Sequence, residues 1–377
     1  MFRKEKIYIA GPECFYQNGQ MVLNAMRRHA ESLGFGVTLP NDHPLDMENS
    51  NLQKRADSIF ADLKKVMKET TIIIADLESY RGSEADSGTI YELGMAYADG
   101  LKCYGYTRDK RPLVWKDQKY VMKDGKVYDE RGRLAPYPDL PFSPAVVGST
   151  KIVQGDFDNC LAVLITDLEE EWKAKGRDLC IADAFQNKIK TIPAEKINAE
   201  NNARKPRIYL ADLVRYEKNS EELYQACKKL CASFGLEAIS PFDGMFDFLK
   251  TESGNSYSRA AALTENYRRL VASCDVVLAD LNNYRGFECA NDVGFECGMG
   301  FSMGKKLFGY MEDARPCIEK IPHQGEEAGY RDITGSNVEN FNYPINLMFG
   351  SSMKIYQGTF KDAIWHVAEE LQKKGGF

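Results

Sequence analysis

The chain contains one sequence pattern twice, and this repetition limits its possible folds more than any other feature. At a constant offset of 204, residues 75–106 and 279–310 share 14 identities in 32 positions without a gap. The offset is 201 near the start of each copy and 203 near its end, as expected when loops differ in length between preserved elements. A period of about 200 residues is too long for a solenoid repeat and fits two whole domains.

Composition places the chain among globular proteins without a nucleic-acid or membrane partner. Its 377 residues are 44% hydrophobic and 28% charged, which is enough for two domains with their own cores. The net charge of −6, with no basic block, argues against a nucleic-acid groove. No signal peptide is visible and no stretch approaches membrane-spanning length. We therefore expect a cytoplasmic protein.

The cysteines and histidines argue against a metal or another cofactor. Ten cysteines in a long chain without secretion signals are most simply reduced thiols. No Cys-x-x-Cys occurs, and the four histidines are scattered along the chain. A faint glycine pattern at 298–304 lies inside a helical stretch, so it does not indicate a dinucleotide loop. We expect neither a metal nor a cofactor.

Strands and helices alternate within each copy. In copy one, apolar runs predict strands over 6–10, 35–39, 71–75 and 102–106, and the patterns between them predict helices over 16–33, 51–68, 89–99 and 156–175. This order predicts an α/β fold with two tandem Rossmann- or flavodoxin-like domains, each a mostly parallel sheet flanked by helices. The expected boundaries are a first domain over 1–187, a linker over 188–205 and a second domain over 206–377.

Residues 107–140 interrupt this pattern in copy one, and residues 119–128 within them carry a hairpin signal. Their apolar residues alternate around Asp124-Gly125, which predicts a β-hairpin. The favoured interpretation is a surface excursion, and the alternative is a flap over a pocket. Ligands of parallel α/β sheets bind at the carboxyl ends of the strands. Gly11, Asp42 and the loop over 76–88 all follow predicted strands.

Two carboxylates in copy one have a spacing that suits glycosyl chemistry. Glu92 lies in an otherwise small and apolar helix segment, near a helix N-terminus that favours its ionised form. An ionised carboxylate in a pocket can attack an anomeric carbon. Asp86, six residues earlier, could move a proton to or from the leaving group. Taken singly, Glu92 would be an exposed helical glutamate and Asp86 a helix N-cap.

Segments 6–15, 40–42 and 81–94 together resemble the nucleoside 2-deoxyribosyltransferases, and the resemblance covers most of both copies. It implies that Glu92 is the nucleophile that takes the 2-deoxyribosyl group, that Asp86 belongs to the same site, and that Tyr8 hydrogen-bonds the nucleophile. It implies that Phe15 stacks on the base and that Asp62 contacts it. The substrate-binding positions implied in this way are Gly11, Phe15, Asp42, Asp62, Gly88 and Asn346.

The two copies do not keep the same site residues. Copy two keeps Tyr209 and Glu296, but Ala290 stands where copy one has Asp86. Asp292 imitates the motif with a spacing two residues shorter, which turns it by roughly 200° on a helix. We therefore expect the second site to be degenerate.

The two copies also differ at the position of the site asparagine. Asn346 of copy two matches a family asparagine that reaches across a dimer into the neighbouring site, whereas copy one has Ser143 there. We therefore expect the copies to pack as an intrachain pseudo-dimer in which Asn346 completes the site of copy one. Further homo-oligomerisation stays open.

The sequence favours an enzyme that exchanges the base of a 2′-deoxynucleoside through a covalent glycosyl-glutamate intermediate, as the resemblance implies. Its partners would be a 2′-deoxynucleoside and a free nucleobase, and its role nucleoside salvage. Two alternatives stay open: an N-glycoside hydrolase of nucleosides or nucleoside monophosphates, and a catalytically inactive nucleotide-binding module. The sequence does not decide between purine and pyrimidine, nucleoside and monophosphate, or transfer and hydrolysis.

Overall fold

The computed structural model describes residues 5–40, 42, 45–116, 120–135, 137–174, 204–245, 247, 255–325 and 329–373. The chain forms two compact units, each assembled from separate stretches of sequence. Unit 1 comprises Met1–Lys110, Thr150–Thr191 and Arg315–Ser351, and unit 2 comprises Arg111–Ser149, Ile192–Ala314 and Ser352–Phe377. Each unit therefore combines most of one copy with a segment of the other. Residues 188–203 of the predicted linker lie outside the described residues.

Unit 1 contains a five-stranded parallel sheet in the order β2-β1-β3-β4-β7. Its strands are β1 (Lys6–Ala10), β2 (Gly36–Thr38), β3 (Ile72–Asp76), β4 (Lys102–Thr107) and β7 (Lys151–Gln154). Its long helices are α1 (Gly19–Ser32), α2 (Leu52–Glu69), α3 (Ser87–Ala98) and α6 (Phe157–Ala174). The segment from copy two adds α10 (Cys317–Lys320), the two-stranded β12 (His323–Gln324) and β13 (Arg331–Asp332), and α11 (Leu347–Ser352).

The alternation of side chains along β1 separates the core of unit 1 from its functional face. Ile7 and Ile9 pack into a hydrophobic core cluster together with Ile72 and Ile74 of β3 and with side chains of α1 and α6. Successive residues of a strand point to opposite faces of the sheet. Tyr8 therefore faces away from this cluster. The continuous burial of β3 explains why its sequence is apolar on both faces.

Unit 2 repeats this topology in the order β9-β8-β10-β11-β14, again with parallel strands. Its strands are β8 (Arg207–Ala211), β9 (Glu237–Ile239), β10 (Val276–Asp280), β11 (Lys306–Met311) and β14 (Lys354–Gln357). Its helices include α7 (Ser220–Ser233), α8 (Ser256–Ala272), α9 (Asn291–Ser302) and α12 (Phe360–Lys373). The segment from copy one contributes α4 (Leu113–Lys116), β5 (Val121–Lys123), β6 (Lys126–Tyr128) and α5 (Pro144–Ser149).

The predicted fold class is confirmed, since each copy supplies a parallel sheet flanked by helices. The predicted hairpin is also confirmed, because β5 and β6 pair in antiparallel fashion around Asp124-Gly125. It belongs to unit 2. The short edge strands β7 and β14 were not predicted, because both sequences begin and end with polar residues. Within the described ranges, no helix combines the length and the apolar character needed to cross a membrane.

Candidate active site

A buried tyrosine–glutamate pair lies at the centre of unit 1. The Tyr8 hydroxyl donates a hydrogen bond of 2.8 Å to Oε1 of Glu92, which lies in the second turn of α3. Burial raises the pKa of Glu92 to about 8, and the negative charge of Asp86 adds to this, while the bond from Tyr8 opposes it. Burial also raises the pKa of Tyr8 well above its usual value, so its hydroxyl stays a donor.

Asp86 is the N-cap of α3, and only one of its two carboxylate oxygens makes the capping hydrogen bonds. Its Oδ2 accepts hydrogen bonds from the Thr89 amide at 2.8 Å and the Thr89 hydroxyl at 2.7 Å. Its buried Oδ1 has no hydrogen-bond partner within the described part of the chain. Burial raises the pKa of this carboxyl, and the two bonds from Thr89 oppose that rise. Asp86 can therefore cap the helix with Oδ2 and still offer Oδ1 to a ligand.

Asn346 lies in unit 1 against the first turn of α3. A Cβ atom added to Gly88 would lie 2.4 Å from Nδ2 of Asn346, so only glycine permits this close approach. Oδ1 of Asn346 accepts a hydrogen bond of 2.9 Å from the Met348 amide at the start of α11. This bond fixes the amide group with its donor nitrogen toward Gly88.

A cavity of about 260 Å³ in unit 1 joins most of the predicted site residues. The predicted residues that line it are Gly11, Phe15, Asp86, Gly88, Glu92 and Asn346. Residues that the sequence analysis did not single out also line it, among them Cys14, Met47, Asn337, Glu339, Phe341, Leu347 and Met348. None of the described residues lining it is cationic. No cluster of three or more described metal-ligating side chains could hold a metal ion.

Two predicted site residues lie elsewhere. Asp42 pairs with Arg27 and accepts a hydrogen bond of 2.9 Å from the Leu39 amide. Asp243 of unit 2 makes matching bonds to Lys228 and to the Ser240 amide, so this aspartate braces the turn after a strand in both copies.

Asp62 is buried in α2, and its charge contributes to the raised pKa of Tyr8. It is not among the described residues that line the cavity. The structure therefore places Asp62 close to the tyrosine–glutamate pair. Its counterpart, Asn266, donates instead to the Pro241 carbonyl at 3.0 Å.

Hydrogen bonds from Arg81 connect the segment of copy two to the loop that carries Asp86. Its Nε donates to Asp332 at 2.8 Å and its Nη2 to the Asn337 carbonyl at 2.8 Å, although these partners lie more than 250 residues away in sequence. Its φ of 51° is unusual for a residue other than glycine. Arg285 of unit 2 repeats the φ and lies 3.7 Å from Asp129. The repeated Tyr-Arg-Gly motif was the available signal, but it does not reveal the partners.

In unit 2 the corresponding glutamate forms a buried ion pair with an arginine. Arg215 donates to both oxygens of Glu296, at 2.8 and 2.7 Å, and Tyr209 donates to the same carboxylate at 2.8 Å. Glu296 has no exposed surface. Arg215 occupies the position of Cys14 at the offset of 201, so the sequence already contained this difference.

The remaining carboxylate of the second constellation is engaged as well. The Tyr216 hydroxyl donates to Asp292 at 2.9 Å, and the Ala145 amide donates to its other oxygen at 2.9 Å. Both carboxylates of unit 2 therefore serve internal bonds. In unit 1, by contrast, Asp86 and Glu92 both line a cavity.

A larger cavity of about 860 Å³ lies at the same end of the unit 1 sheet. It is lined by Glu13, Asp76 and Tyr106, with the Tyr106 hydroxyl donating to Glu13 at 2.8 Å. Burial raises the pKa of Asp76 to about 8, and the charge of Glu13 adds to this. Asp86 and Glu92 do not line it. We therefore take the smaller cavity as the candidate active site.

The paired groups can perform acid–base and nucleophilic chemistry on a small uncharged ligand. Glu92 supplies a carboxylate that is poorly solvated. Asp86 supplies a second carboxyl group, whose Oδ1 has no hydrogen-bond partner among the described residues. Asn346 supplies an oriented amide that lines the same cavity. This combination suits displacement at an electrophilic carbon with proton transfer to the leaving group.

Comparisons with known proteins show which sequences and structures this chain resembles. The sequence model described as nucleoside 2-deoxyribosyltransferase matches residues 7–153 and 208–348. The uncharacterized protein C191.05c of Schizosaccharomyces pombe is 28% identical over 124 residues, which are 33% of this chain and span 58% of that protein. A solved 2-desoxiribosyltransferase from Leishmania mexicana is 26% identical, with 44% of this chain and 97% of that chain covered and a TM-score of 0.34.

The ion pair of unit 2 predicts a specific pattern of stability. Arg215→Met should lower the free energy of unfolding by about 3–5 kcal/mol, because it leaves Glu296 buried without its cation. The double variant Arg215→Met/Glu296→Leu should recover part of this loss, because the buried charge of Glu296 is removed together with its cation. Asp292, which lies 3.9 Å from Arg215, keeps its hydrogen bonds from Tyr216 and Ala145. Equilibrium urea denaturation would measure both. Equal losses in the single and double variants would contradict the assignment.

Proposed function

Because the chain belongs to the nucleoside 2-deoxyribosyltransferase family, we propose that it exchanges the base of a 2′-deoxynucleoside in the unit 1 cavity. One observation carries the proposal. The cavity holds a buried glutamate bonded to Tyr8, a second carboxyl with an oxygen to spare and the amide of Asn346. The family, the carboxylate pair and the amide all support the same chemistry.

In the first half-reaction, a carboxylate oxygen of Glu92 attacks C1′ of the nucleoside. The C1′–N bond breaks, its electron pair leaves with the base, and Asp86 in its protonated form gives the base nitrogen a proton. The transition state resembles an oxocarbenium ion, which the neighbouring negative charge stabilises. The product is a glycosyl ester of Glu92.

In the second half-reaction, a nitrogen of another base attacks C1′ and the ester bond breaks. The electron pair returns to Glu92 as a carboxylate, and Asp86 takes back the proton that the incoming base releases. Water must stay out of the cavity during this exchange, since it would hydrolyse the ester. The apolar walls formed by Phe15, Leu347 and Met348 favour transfer over hydrolysis.

The charge of the cavity favours a nucleoside over a nucleoside monophosphate. Its lining includes the carboxyl groups of Asp86, Glu92 and Glu339 and, among described residues, no lysine, arginine or histidine. A phosphate group carries up to two negative charges near neutral pH, and none of the described lining residues carries a positive charge that would compensate them. We therefore favour base exchange on 2′-deoxynucleosides over the hydrolysis of nucleoside monophosphates.

The second copy supports the first without catalysing the reaction itself. Arg215 holds both oxygens of Glu296, so this carboxylate cannot approach a sugar carbon. The interpretation as an inactive module therefore fits the unit 2 site alone. The nine described cysteines are free thiols, in keeping with a reducing compartment. We assign the exchange to nucleoside salvage in the cytoplasm.

The direct test of the proposal is a base-exchange assay with product chromatography. The wild-type chain should convert a 2′-deoxynucleoside and a different free base into the new 2′-deoxynucleoside. Glu92→Gln should lower this rate about a thousandfold or more, because the nucleophile is lost. As a matched control, Arg215→Met/Glu296→Leu should keep most of the rate.

Other results of the same assay would reject parts of the proposal. A rate that survives Glu92→Gln and disappears in the unit 2 variant would reject the assignment of the active unit. Donor loss that free base does not accelerate, with free 2-deoxyribose as the only sugar product, would replace the transferase by a hydrolase. Absence of turnover with every donor would favour the inactive module.

The raised pKa of Glu92 predicts a pH dependence. The nucleophile must be ionised, and with a pKa of about 8 only about a tenth of it is ionised at pH 7 in the free enzyme. The kcat/KM for the donor should therefore rise with pH up to about 8. Tyr8→Phe removes the bond that lowers this pKa, so it should move the rising limb to higher pH. A profile that Tyr8→Phe leaves in place would contradict this role.

The close approach of Asn346 to Gly88 predicts a coupled effect on activity. Asn346→Ala should lower kcat/KM about ten- to a hundredfold, which corresponds to about 1–3 kcal/mol. Gly88→Ala should also lower it, because the new Cβ displaces the Asn346 amide. In the Asn346→Ala background the same glycine substitution should cost little more, because the space is free. Equal effects of Gly88→Ala in both backgrounds would show that the two residues act independently.

A further inference from the structure

One wall of the cavity is an extended segment whose alternate residues face the ligand space. Asn337, Glu339 and Phe341 line the cavity. Val338 between them is buried on the other side, where it packs with Cys317 and Ile321. Period-two alternation of this kind fixes which side chains a ligand can reach.

The main chain of this segment is tied to the loop that carries Phe15. The Asn337 amide donates to the Phe15 carbonyl at 2.7 Å, and the Asn337 carbonyl accepts from Arg81 at 2.8 Å. The backbone groups of Asn337 are thereby used for anchoring. Asn337 and Phe15 both line the cavity.

Glu339 is held in place by the helix that follows. Its side chain is 7% exposed, and its Oε1 accepts a hydrogen bond of 3.3 Å from the Leu347 amide at the start of α11. The charges of Asp86, Glu92 and Glu339 all contribute to the raised pKa of the Cys14 thiol. The Glu339 carboxylate therefore lies near Cys14, the neighbour of Phe15.

The other copy shows that these polar side chains are not needed to build the segment. At the offset of 203, Leu134 and Pro136 stand in place of Asn337 and Glu339. The anchoring bond is nevertheless kept, since the Leu134 amide donates to the Tyr216 carbonyl at 2.8 Å. The polar pair thus occurs only in the segment that lines the cavity of Glu92.

We propose that Glu339, with Asn337 beside it, is a specificity-determining residue that binds the exocyclic amino group of the base. A carboxylate only accepts hydrogen bonds, so an amino group satisfies it and a keto oxygen repels it. Attraction of an amino group and repulsion of a keto oxygen at the same buried carboxylate turn this contact into discrimination. The inference deepens the proposed function and rests on it: adenine, with an amino group at C6, is preferred over hypoxanthine, and cytosine, with an amino group at C4, over thymine and uracil.

The test is an internal competition between two bases that differ in the amino group. Equimolar adenine and hypoxanthine compete for the glycosyl-enzyme formed from 2′-deoxycytidine, and chromatography gives the ratio of 2′-deoxyadenosine to 2′-deoxyinosine. Both products arise from the same intermediate, so a loss of folded protein does not change the ratio. The wild-type ratio should be at least about ten.

Glu339→Gln should lower this ratio at least about tenfold, because the amide can turn a donor toward the keto oxygen. Its carbonyl can still accept from the Leu347 amide, so the fold is preserved. Asn337→Leu introduces the residue of the other copy and should also lower the ratio. A wild-type ratio near one, or an unchanged ratio in both variants, would overturn the inference and leave base exchange intact.

If no exchange occurs, calorimetric titration of the free bases separates the two claims. Adenine binding that weakens at least about tenfold in Glu339→Gln, with hypoxanthine binding not weakened, would support the base contact while transfer is rejected. Binding of adenine that Glu339→Gln does not change, or no detectable binding of either base to the wild type, would reject the base contact as well.

Discussion

The hydrogen bond between Tyr8 and Glu92 is the interaction around which unit 1 is organised. A carboxylate with 6% exposure is costly to keep charged, and this bond of 2.8 Å supplies part of its compensation. Because β1 sends Ile7 and Ile9 into the core, the same strand must send Tyr8 to the other face. One short strand thus builds both the core and the functional face.

The two copies bury the same glutamate with opposite consequences. In unit 2, Arg215 neutralises Glu296 and holds both of its oxygens, which gives a well-satisfied core group. In unit 1, Cys14 stands in the place of that arginine, and the pKa of Glu92 is raised to about 8. The incompletely compensated charge of Glu92 fits the role of nucleophile that we propose for it. The different surroundings of the two glutamates follow in large part from this one position.

The sequence predicted the sheets, the long helices and the pairing of Tyr8 with Glu92, because local periodicity and a specific motif encode them. Asn346 was singled out by the family resemblance together with the comparison of the copies. Arg81 and Glu339 could not, because their partners and the cavity wall depend on contacts between distant stretches of chain. Asp42 shows the opposite case: its turn motif is repeated, and the structure uses it to brace a loop.

The composition of unit 1 from distant stretches has a consequence for synthesis of the protein. A nascent chain that has just completed its first 187 residues already contains Asp86 and Glu92 but lacks Asn346 and Glu339. Unit 1 draws residues up to Ser351, so its cavity can close only after the ribosome has passed this residue, long after it has added Asp86 and Glu92. A gene cut between the copies would place the residues of this cavity on two separate polypeptides.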